Sequence, residues 1–162
     1  MISPKMEEAL NNQINEEFYS AYLYFSMAGY FAEKNLLGFS HWLIVQYHEE
    51  LAHAEKIYKY LIERGGKVKL MAIKQPDSSW ENPKEAFGAV LNHEKYITGK
   101  INELVEIAEA EKDRATIAML QWYINEQVEE EAKAQEILAK LEMVGDHAAG
   151  LLMIDRELGQ RK

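Results

Sequence analysis

Four long segments of this chain place apolar residues at every third or fourth position, and no other feature restricts the fold as strongly. This spacing is that of an amphipathic α-helix whose apolar side faces a core. The segments are rich in Ala, Leu, Glu, Lys and Met, and the chain has only three prolines to interrupt them. The sequence therefore predicts an all-α protein.

Capping residues and helix breakers predict where the helices begin and end. Ser, Asn and Asp side chains accept the free N–H groups of a first turn, and proline fits the first helical position. Glycine can take the left-handed conformation that closes a helix. The predicted helices are Pro4 to about Glu33 after Ser3, about Phe39 to Arg64 before Gly65 and Gly66, Pro83 onward after Asn82, a segment capped by Asp113 that ends near Gly145, and a short segment capped by Asp146 that ends at about Leu158.

The connections between these helices predict their arrangement. The first and third connections are only a few residues long, which favours antiparallel neighbours. Residues 67–82 can extend to about 53 Å, whereas the second helix is roughly 39 Å long. This loop can therefore cross the whole bundle. We expect a single domain over residues 1–162. It comprises a four-helix bundle over about residues 4–144 with one long crossover loop, and a short C-terminal fifth helix over about residues 147–158.

Polar and ionisable residues interrupt the apolar side of every long helix. On the second helix, Glu50 and His53 occupy positions where apolar residues belong. The corresponding residues are Glu17 in the first helix, Glu94 in the third, and Gln127 and Glu130 in the fourth. Residues 94, 127 and 130 each lie 77 positions after residues 17, 50 and 53. This repeat predicts that both helix pairs direct polar groups to one shared ligand.

The cost of burying these acids indicates what the ligand is. A buried carboxylate without a partner costs several kcal/mol, and four of them exceed a typical stability of about 5 to 15 kcal/mol. No Lys or Arg occupies a neighbouring inward position. Two divalent cations balance four carboxylates and leave His53 as a neutral nitrogen ligand. Because Glu50 and His53 are three residues apart, they can bind one ion together. The pattern predicts a dinuclear metal site.

Composition and charge argue against several other functions. The net charge of −9 disfavours non-specific binding to nucleic acid, which needs Lys and Arg against the phosphates. The absence of cysteine excludes disulfides and thiolate metal sites. No apolar run is long enough to cross a membrane, and the first residues lack the pattern of a secretory signal. We expect a cytoplasmic protein without nucleic-acid or membrane partners.

The residues at this level of the bundle resemble those of ferritins, in the haem-free form of bacteria and archaea. The resemblance covers essentially the whole chain, including the crossover length and the short last helix, and one long crossover is the arrangement of ferritin-like folds. The residues that carry it are Glu17, Tyr24, the segment EELAH at 49–53, Glu94, Trp122 and the segment NEQVEEE at 125–131. The resemblance implies a ferroxidase centre with two irons. One iron is bound by Glu17, Glu50 and His53, the other by Glu50, Glu94 and Glu130, and Glu50 bridges them.

The same resemblance implies roles for neighbouring residues. Gln127 is expected to hydrogen-bond to the site, and Tyr24 to hydrogen-bond near the metals or supply an electron. Haem is not expected, because the position of the haem-binding methionine of bacterioferritins, two residues before the site histidine, is Leu51. A third iron position is implied beside the pair, formed by Glu49, Glu126, Glu129 and Glu130.

The resemblance also implies iron storage and detoxification. Fe(II) is the expected substrate, dioxygen or peroxide the oxidant, and a ferric oxide mineral the product, held in a cage of 24 identical subunits. The first helix gives an independent reason to expect an oligomer, because large apolar residues lie off its core side and one bundle cannot bury them all. These residues are Tyr19, Tyr22, Phe25, Met27 and Tyr30.

Two alternative functions remain open at this point. Rubrerythrins use similar carboxylate bundles to reduce peroxide, but they carry a cysteine-rich iron domain, and this chain has no cysteine. The other alternative is a structural scaffold, in which the same layer of the bundle holds zinc, calcium or no metal. The remaining histidines, His41, His48, His93 and His147, are expected to be surface or packing residues.

Overall fold

The computed structural model describes all 162 residues and contains five α-helices and no strand. The all-α prediction is confirmed. No helix is long and apolar enough to cross a membrane. The helices are α1 (Pro4–Glu33), α2 (Leu37–Glu63), α3 (Pro83–Ala110), α4 (Arg114–Val144) and α5 (Ala148–Leu158).

Most helix starts use the predicted capping residues. Ser3 Oγ accepts the N–H of Met6 at 3.0 Å, and Asn82 Oδ1 accepts the N–H of Glu85 at 2.8 Å. Asp113 is the N-cap of α4, where its side chain accepts the N–H of Thr116. Each bond satisfies a donor that the helix itself leaves free.

Two predicted starts are wrong by one or two residues. The N-cap of α5 is His147, whose backbone is extended (φ −75°, ψ 109°) and whose Nδ1 accepts the N–H of Gly150 at 3.3 Å. Asp146 lies one residue too early, in the turn after Gly145, which has a φ of +52°. Helix α2 begins at Leu37 rather than Phe39.

The long connection over residues 64–82 runs alongside α1. Asn11 Nδ2 donates to the carbonyl of Lys67 at 2.8 Å, and Ser26 Oγ donates to the carbonyl of Asp77 at 2.6 Å. Since residues further along the connection meet residues further along α1, the connection carries the chain from one end of the bundle to the other. The predicted crossover is confirmed.

Two apolar clusters fill the bundle above and below a polar layer. One cluster is centred on Phe31, Phe39 and Phe87, whose ring centroids lie 4.8 to 5.8 Å apart. The other includes Leu10 and Ile57. The two clusters are separated by a layer of buried polar side chains, which fixes the level at which the candidate site lies.

Helix α5 packs on the first turn of α2. The N–H of Phe39 donates to Asp155 Oδ1 at 3.0 Å. Gly38 permits this approach, because a Cβ at that position would lie 1.6 Å from the carbonyl oxygen of Asp155. Any side chain at residue 38 would push the two helices apart.

The expectation that one bundle cannot bury all five large residues off the core side of α1 is confirmed, although two of the five are buried. Met27 is fully buried, and Tyr30 is 5% exposed because its ring packs on Trp80 of the crossover, with ring centroids 5.3 Å apart. Tyr22 and Phe25 are each 49% exposed. One subunit therefore leaves this part of α1 partly uncovered.

Candidate metal centre

The buried polar layer contains two groups of ligand atoms that share one residue. Glu17, Glu50 and His53 form one group, and Glu50, Glu94 and Glu130 form the other. Within each group the candidate ligand atoms all lie within 4.8 Å of one another. All five residues are buried, with at most 4% of any of them exposed. Each of the four long helices contributes at least one, so the bundle itself holds the group together.

In the first group, His53 Nδ1 lies 3.0 Å from Glu50 Oε2 and 3.7 Å from Glu17 Oε2. Gln13 Nε2 donates to Glu17 Oε1 at 2.8 Å. Glu17 Oε2 is buried without a hydrogen-bond partner. A buried oxygen without a partner loses the full energy of its hydration. A bound cation would satisfy it, so these side chains fit a metal ion.

In the second group, hydrogen-bond donors hold each carboxylate. The Tyr24 hydroxyl donates to Glu94 Oε1, and Gln127 Nε2 donates to Glu94 Oε2 at 3.1 Å. These contacts fix the direction in which Glu94 faces Glu50 and Glu130. Donors of this kind orient ligands and tune their basicity in metal sites.

The acids of the cluster hold protons more strongly than exposed acids do. Burial raises the pKa of Glu50 well above its usual value, despite the hydrogen bond with His53, and the charges of Glu94 and Glu17 add to the increase. Burial, followed by the charge of Glu130, raises the pKa of Glu94 to about 8. Without a cation, protons neutralise part of the cluster.

His53 and Glu130 each have a partner of opposite charge. Burial alone lowers the pKa of His53, but the carboxylates of Glu17 and Glu50 outweigh it and raise the pKa to about 11. Lys133 Nζ lies 3.4 Å from Glu130 Oε1. The sequence did not predict this cation, because residue 133 lies off the inward side of α4 and reaches Glu130 along the helix surface. Burial outweighs the charge of Lys133, so the pKa of Glu130 is raised.

The structure leaves three of the four predicted third-site residues outside both groups. Glu126 Oε1 lies 3.7 Å from His53 Nε2, on the side opposite Glu50. Glu49 Oε2 accepts a hydrogen bond from Arg161 at 2.9 Å. Glu129 is exposed. Three of the four acids named for a third iron thus lie around the cluster, and Glu130 lies within it.

Several polar contacts of the cluster were missed at the sequence level. Gln46 Nε2 donates to Glu50 Oε1 at 3.1 Å and also to Glu130 Oε2. Gln13 and Gln46 each lie one helical turn before an acid, four residues from Glu17 and Glu50. This spacing was the signal that could have identified both glutamines.

The other histidines lie outside the two groups. His93 Nε2 is 2.7 Å from Ser20 Oγ, and its ring stands edge-on to Tyr24 with centroids 5.9 Å apart. Burial lowers the pKa of His93 to about 4, so the ring is neutral. His41 contacts the carbonyl of Arg161, His48 is exposed and His147 caps α5.

Fold and cluster together define a class of protein: an all-α four-helix bundle with buried carboxylates and a histidine at mid-height. The family model of the ferritin-like domain matches residues 7–144. The chain therefore belongs to the ferritin family. The expected resemblance to non-haem ferritins is confirmed, since a bacterial non-heme ferritin of Bacteroides fragilis is 44% identical over 161 residues, covering 99% of this chain and 100% of the relative. A bacterial non-heme ferritin of Staphylococcus aureus is 37% identical over 161 residues, covering 99% and 97%.

Solved structures agree with this assignment. An open pore ferritin from the hyperthermophilic archaeon Archaeoglobus fulgidus is 54% identical with a TM-score of 0.99, covering 99% of this chain and 98% of that one. An engineered closed form of the Archaeoglobus fulgidus ferritin is 55% identical, again with a TM-score of 0.99, covering 100% and 99%. The predicted four-helix bundle with a short fifth helix is thereby confirmed.

Proposed function

We propose that this protein stores iron, and that it oxidises Fe(II) to Fe(III) with dioxygen at the buried cluster before the iron enters a mineral. The observation that carries this proposal is the sharing of Glu50 by two groups of ligand atoms, each within 4.8 Å. A carboxylate common to two sites can bridge two ions with its two oxygens. Membership of the ferritin family supports iron as the metal.

The two groups supply two iron positions. Glu17, Glu50 and His53 bind the first iron, and the partnerless oxygen of Glu17 supports this assignment. Glu50, Glu94 and Glu130 bind the second. The positions are unequal, because only the first has a nitrogen ligand. Carboxylate oxygens are hard ligands, so both positions stabilise the Fe(III) product relative to Fe(II).

Two Fe(II) ions supply one electron each. Dioxygen accepts two electrons and two protons and leaves as hydrogen peroxide, so the pair completes one oxidation without an outside reductant. The protons can come from the cluster itself, since Glu50, Glu94 and His53 have raised pKa values and give up protons when the metals bind.

Tyr24 and Gln127 keep Glu94 in place during this reaction. Burial, together with the charge of Glu94, raises the pKa of Tyr24 well above 10, so its hydroxyl keeps its proton and remains a donor. Because the Tyr24 hydroxyl contacts the proposed iron ligand Glu94 directly, this phenol is also in a position to supply an electron.

A third iron position next to the pair completes the proposal. Glu49, Glu126, Glu129 and Glu130 form it, with Glu126 on the outer side of His53. The charge of Glu49 raises the pKa of Glu130, although less than burial does. Arg161 pairs with Glu49 and Lys133 with Glu130, so iron at this position would replace contacts that these two cations now make.

A mineral must be enclosed, so we further propose that 24 identical subunits form a cage in the cytoplasm. Exposed apolar side chains on α1 and on the crossover support a self-association surface. They include Tyr22, Phe25, Leu70, Met71 and Ile73, each at least 41% exposed. The net charge of −9 favours cations over nucleic acid as the cargo.

Iron loading tests the proposal. Apoprotein receives increasing Fe(II) in air, unbound iron is removed by gel filtration, and iron per subunit is measured in the particle fraction. Storage predicts retained iron far above three ions per subunit and a particle much larger than one chain. Retention that stops at two or three ions indicates a scaffold. Faster oxidation with peroxide than with dioxygen, again without bulk uptake, indicates a peroxide reductase.

A further inference from the structure

The chain beyond α5 returns to α2 and places a guanidinium beside the cluster. The backbone N–H of Arg161 donates to the carbonyl of Leu158 at 3.3 Å, and its own carbonyl oxygen lies 2.6 Å from His41 Nε2. The Arg161 side chain is only 14% exposed. Since α5 is itself fixed on α2 through Asp155, the backbone of Arg161 is held in one place.

The guanidinium has partners on three successive turns of α2. It lies over the ring of Trp42, with the central carbon 4.3 Å from the ring centroid. Nη1 donates to the carbonyl of Trp42 at 3.1 Å and to Gln46 Oε1 at 3.0 Å. Nη2 donates to Glu49 Oε2 at 2.9 Å. These contacts leave the side chain little freedom to move.

The contact with Gln46 determines which way its amide points. Arginine has donors only, so Gln46 must present its oxygen to Arg161 and its NH2 group to the opposite side. There the NH2 group meets Glu50 Oε1 and Glu130 Oε2. Gln46 is 1% exposed, so no water competes for its amide. Arg161, Gln46 and the two carboxylates therefore form one continuous chain of hydrogen bonds.

We propose that Arg161 is a positioning residue of the iron centre, which acts through Gln46 to set the orientation of Glu50 and Glu130. Arg161 touches none of the five residues of the two ligand groups, and the hydrogen bonds that connect it to them run through the amide of Gln46. The inference rests on the proposed function, because it concerns the affinity of the second iron position. Hydrogen bonds in series polarise one another, so a donor two steps away can alter the basicity of a ligand.

Anaerobic titration with Co(II), followed by its visible absorption, tests this without any oxidation. Loss of a residue that hydrogen-bonds to a metal ligand typically lowers metal affinity by 10- to 100-fold. We expect Arg161→Ala to lower the Co(II) affinity of the second position by about tenfold, the lower end of this range. Glu94→Ala identifies which step of the titration is the second position. The matched control is Arg156→Ala, because Arg156 is an exposed arginine of α5. It should leave both steps unchanged.

A double-mutant cycle separates positioning from simple anchoring of α5. Gln46→Leu removes the amide and keeps a similar volume. If Arg161 acts through Gln46, then adding Arg161→Ala to Gln46→Leu changes Co(II) affinity by less than about twofold, which is within the error of additivity. An anchoring role instead gives the same tenfold loss in both backgrounds, and that result would overturn the proposal. Particle size and thermal unfolding confirm that each variant assembles.

Two further outcomes are decisive. If Arg161→Ala does not assemble, Arg161→Met takes its place, because Met keeps a long side chain without an N–H donor, and wild-type affinity in an assembled Met variant refutes the inference. If Glu50→Ala abolishes Co(II) binding while Arg161→Ala has no effect, only the role of Arg161 is wrong. If Glu50→Ala leaves the titration unchanged, the metal centre itself is wrong.

Discussion

His53 Nδ1 lies 3.0 Å from Glu50 Oε2, one turn away on the same helix, and both side chains are buried. Glu50 also reaches the acids of α3 and α4, which places it between a histidine on one side and two carboxylates on the other. Because Glu50 belongs to both groups of ligand atoms, its removal should affect both of them.

Glu50→Ala should abolish rapid Fe(II) oxidation, because both proposed iron positions lose a ligand. We expect a rate loss above about 100-fold, since removing even an outer partner costs up to that factor in metal affinity. The helix content should be unchanged, because the repulsion among the remaining acids decreases. Stopped-flow absorbance after mixing with dioxygen gives the rate. Glu55→Ala, an exposed glutamate of the same helix, is the control. Wild-type oxidation in the Glu50 variant would refute its bridging role.

His53→Ala should weaken one iron position more than the other. His53 belongs only to the group with Glu17, whereas the second group consists of carboxylates. Anaerobic Fe(II) titration by calorimetry should show one step weakened by about tenfold or more and the other nearly unchanged. His48→Ala provides the control, since His48 is an exposed histidine of the same helix that lies outside both groups. Equal losses at both steps would contradict the split assignment.

Metal binding should release protons, and more of them at about pH 7 than at about pH 9. The reason is the pKa of Glu94, which burial raises to about 8 from a usual value of 4.5. At the lower pH the metal must displace this proton, and at the higher pH it has already left. Calorimetry in two buffers of different ionisation enthalpy counts the protons. A count that does not change with pH would show that Glu94 is already ionised in the apoprotein.

The raised pKa of Glu94 also predicts how the stability of the apoprotein changes with pH. Between about pH 4.5 and 8 the folded apoprotein keeps a proton on Glu94 that the unfolded chain has lost. The folded state binds more protons in this window, so the contribution of Glu94 to stability falls as pH rises. The Gln side chain in Glu94→Gln carries no charge at any pH. In this variant, the urea concentration at the unfolding midpoint should fall less steeply as pH rises. An equally steep decline in that variant would assign it to other groups.

Glu129→Gln should slow repeated turnover more than the first oxidation. Glu129 is exposed and lies outside both ligand groups, so the first pair of irons binds normally. It belongs to the proposed third position, so its loss should affect the irons that arrive after the first pair. Comparing the first addition of two Fe(II) per subunit with later additions measures both phases. Glu136→Gln on the same exposed face of α4 is the control. No change in either phase would indicate that Glu129 is only a solvated surface residue.

The sequence predicted the fold well because its helix signals are local. Apolar spacing and capping residues such as Ser3 and Asn82 act within one or two turns, and the structure uses them as expected. The error at Asp146 has the same origin: it and His147 can both cap a helix, and only the conformation of the turn after Gly145 selects between them.

The sequence could not predict contacts made across the chain. Met27 and Tyr30 lie off the predicted core side of α1, but the crossover and the rest of the bundle bury them. Arg161 reaches Gln46 from 115 positions away, and no periodicity relates the two. Polar residues on the inward side of a helix can be recognised from spacing, whereas the partner that each of them finds depends on how the helices pack.

The most direct test of the account is the anomalous density of crystals soaked anaerobically in a ferrous salt. We predict two iron peaks inside each subunit, one among Glu17, Glu50 and His53 and the other among Glu50, Glu94 and Glu130, with Glu50 bound to both. Absence of density between these side chains, or carboxylates turned out toward solvent, would contradict the claim that bound cations are what this buried layer of acids is built to hold.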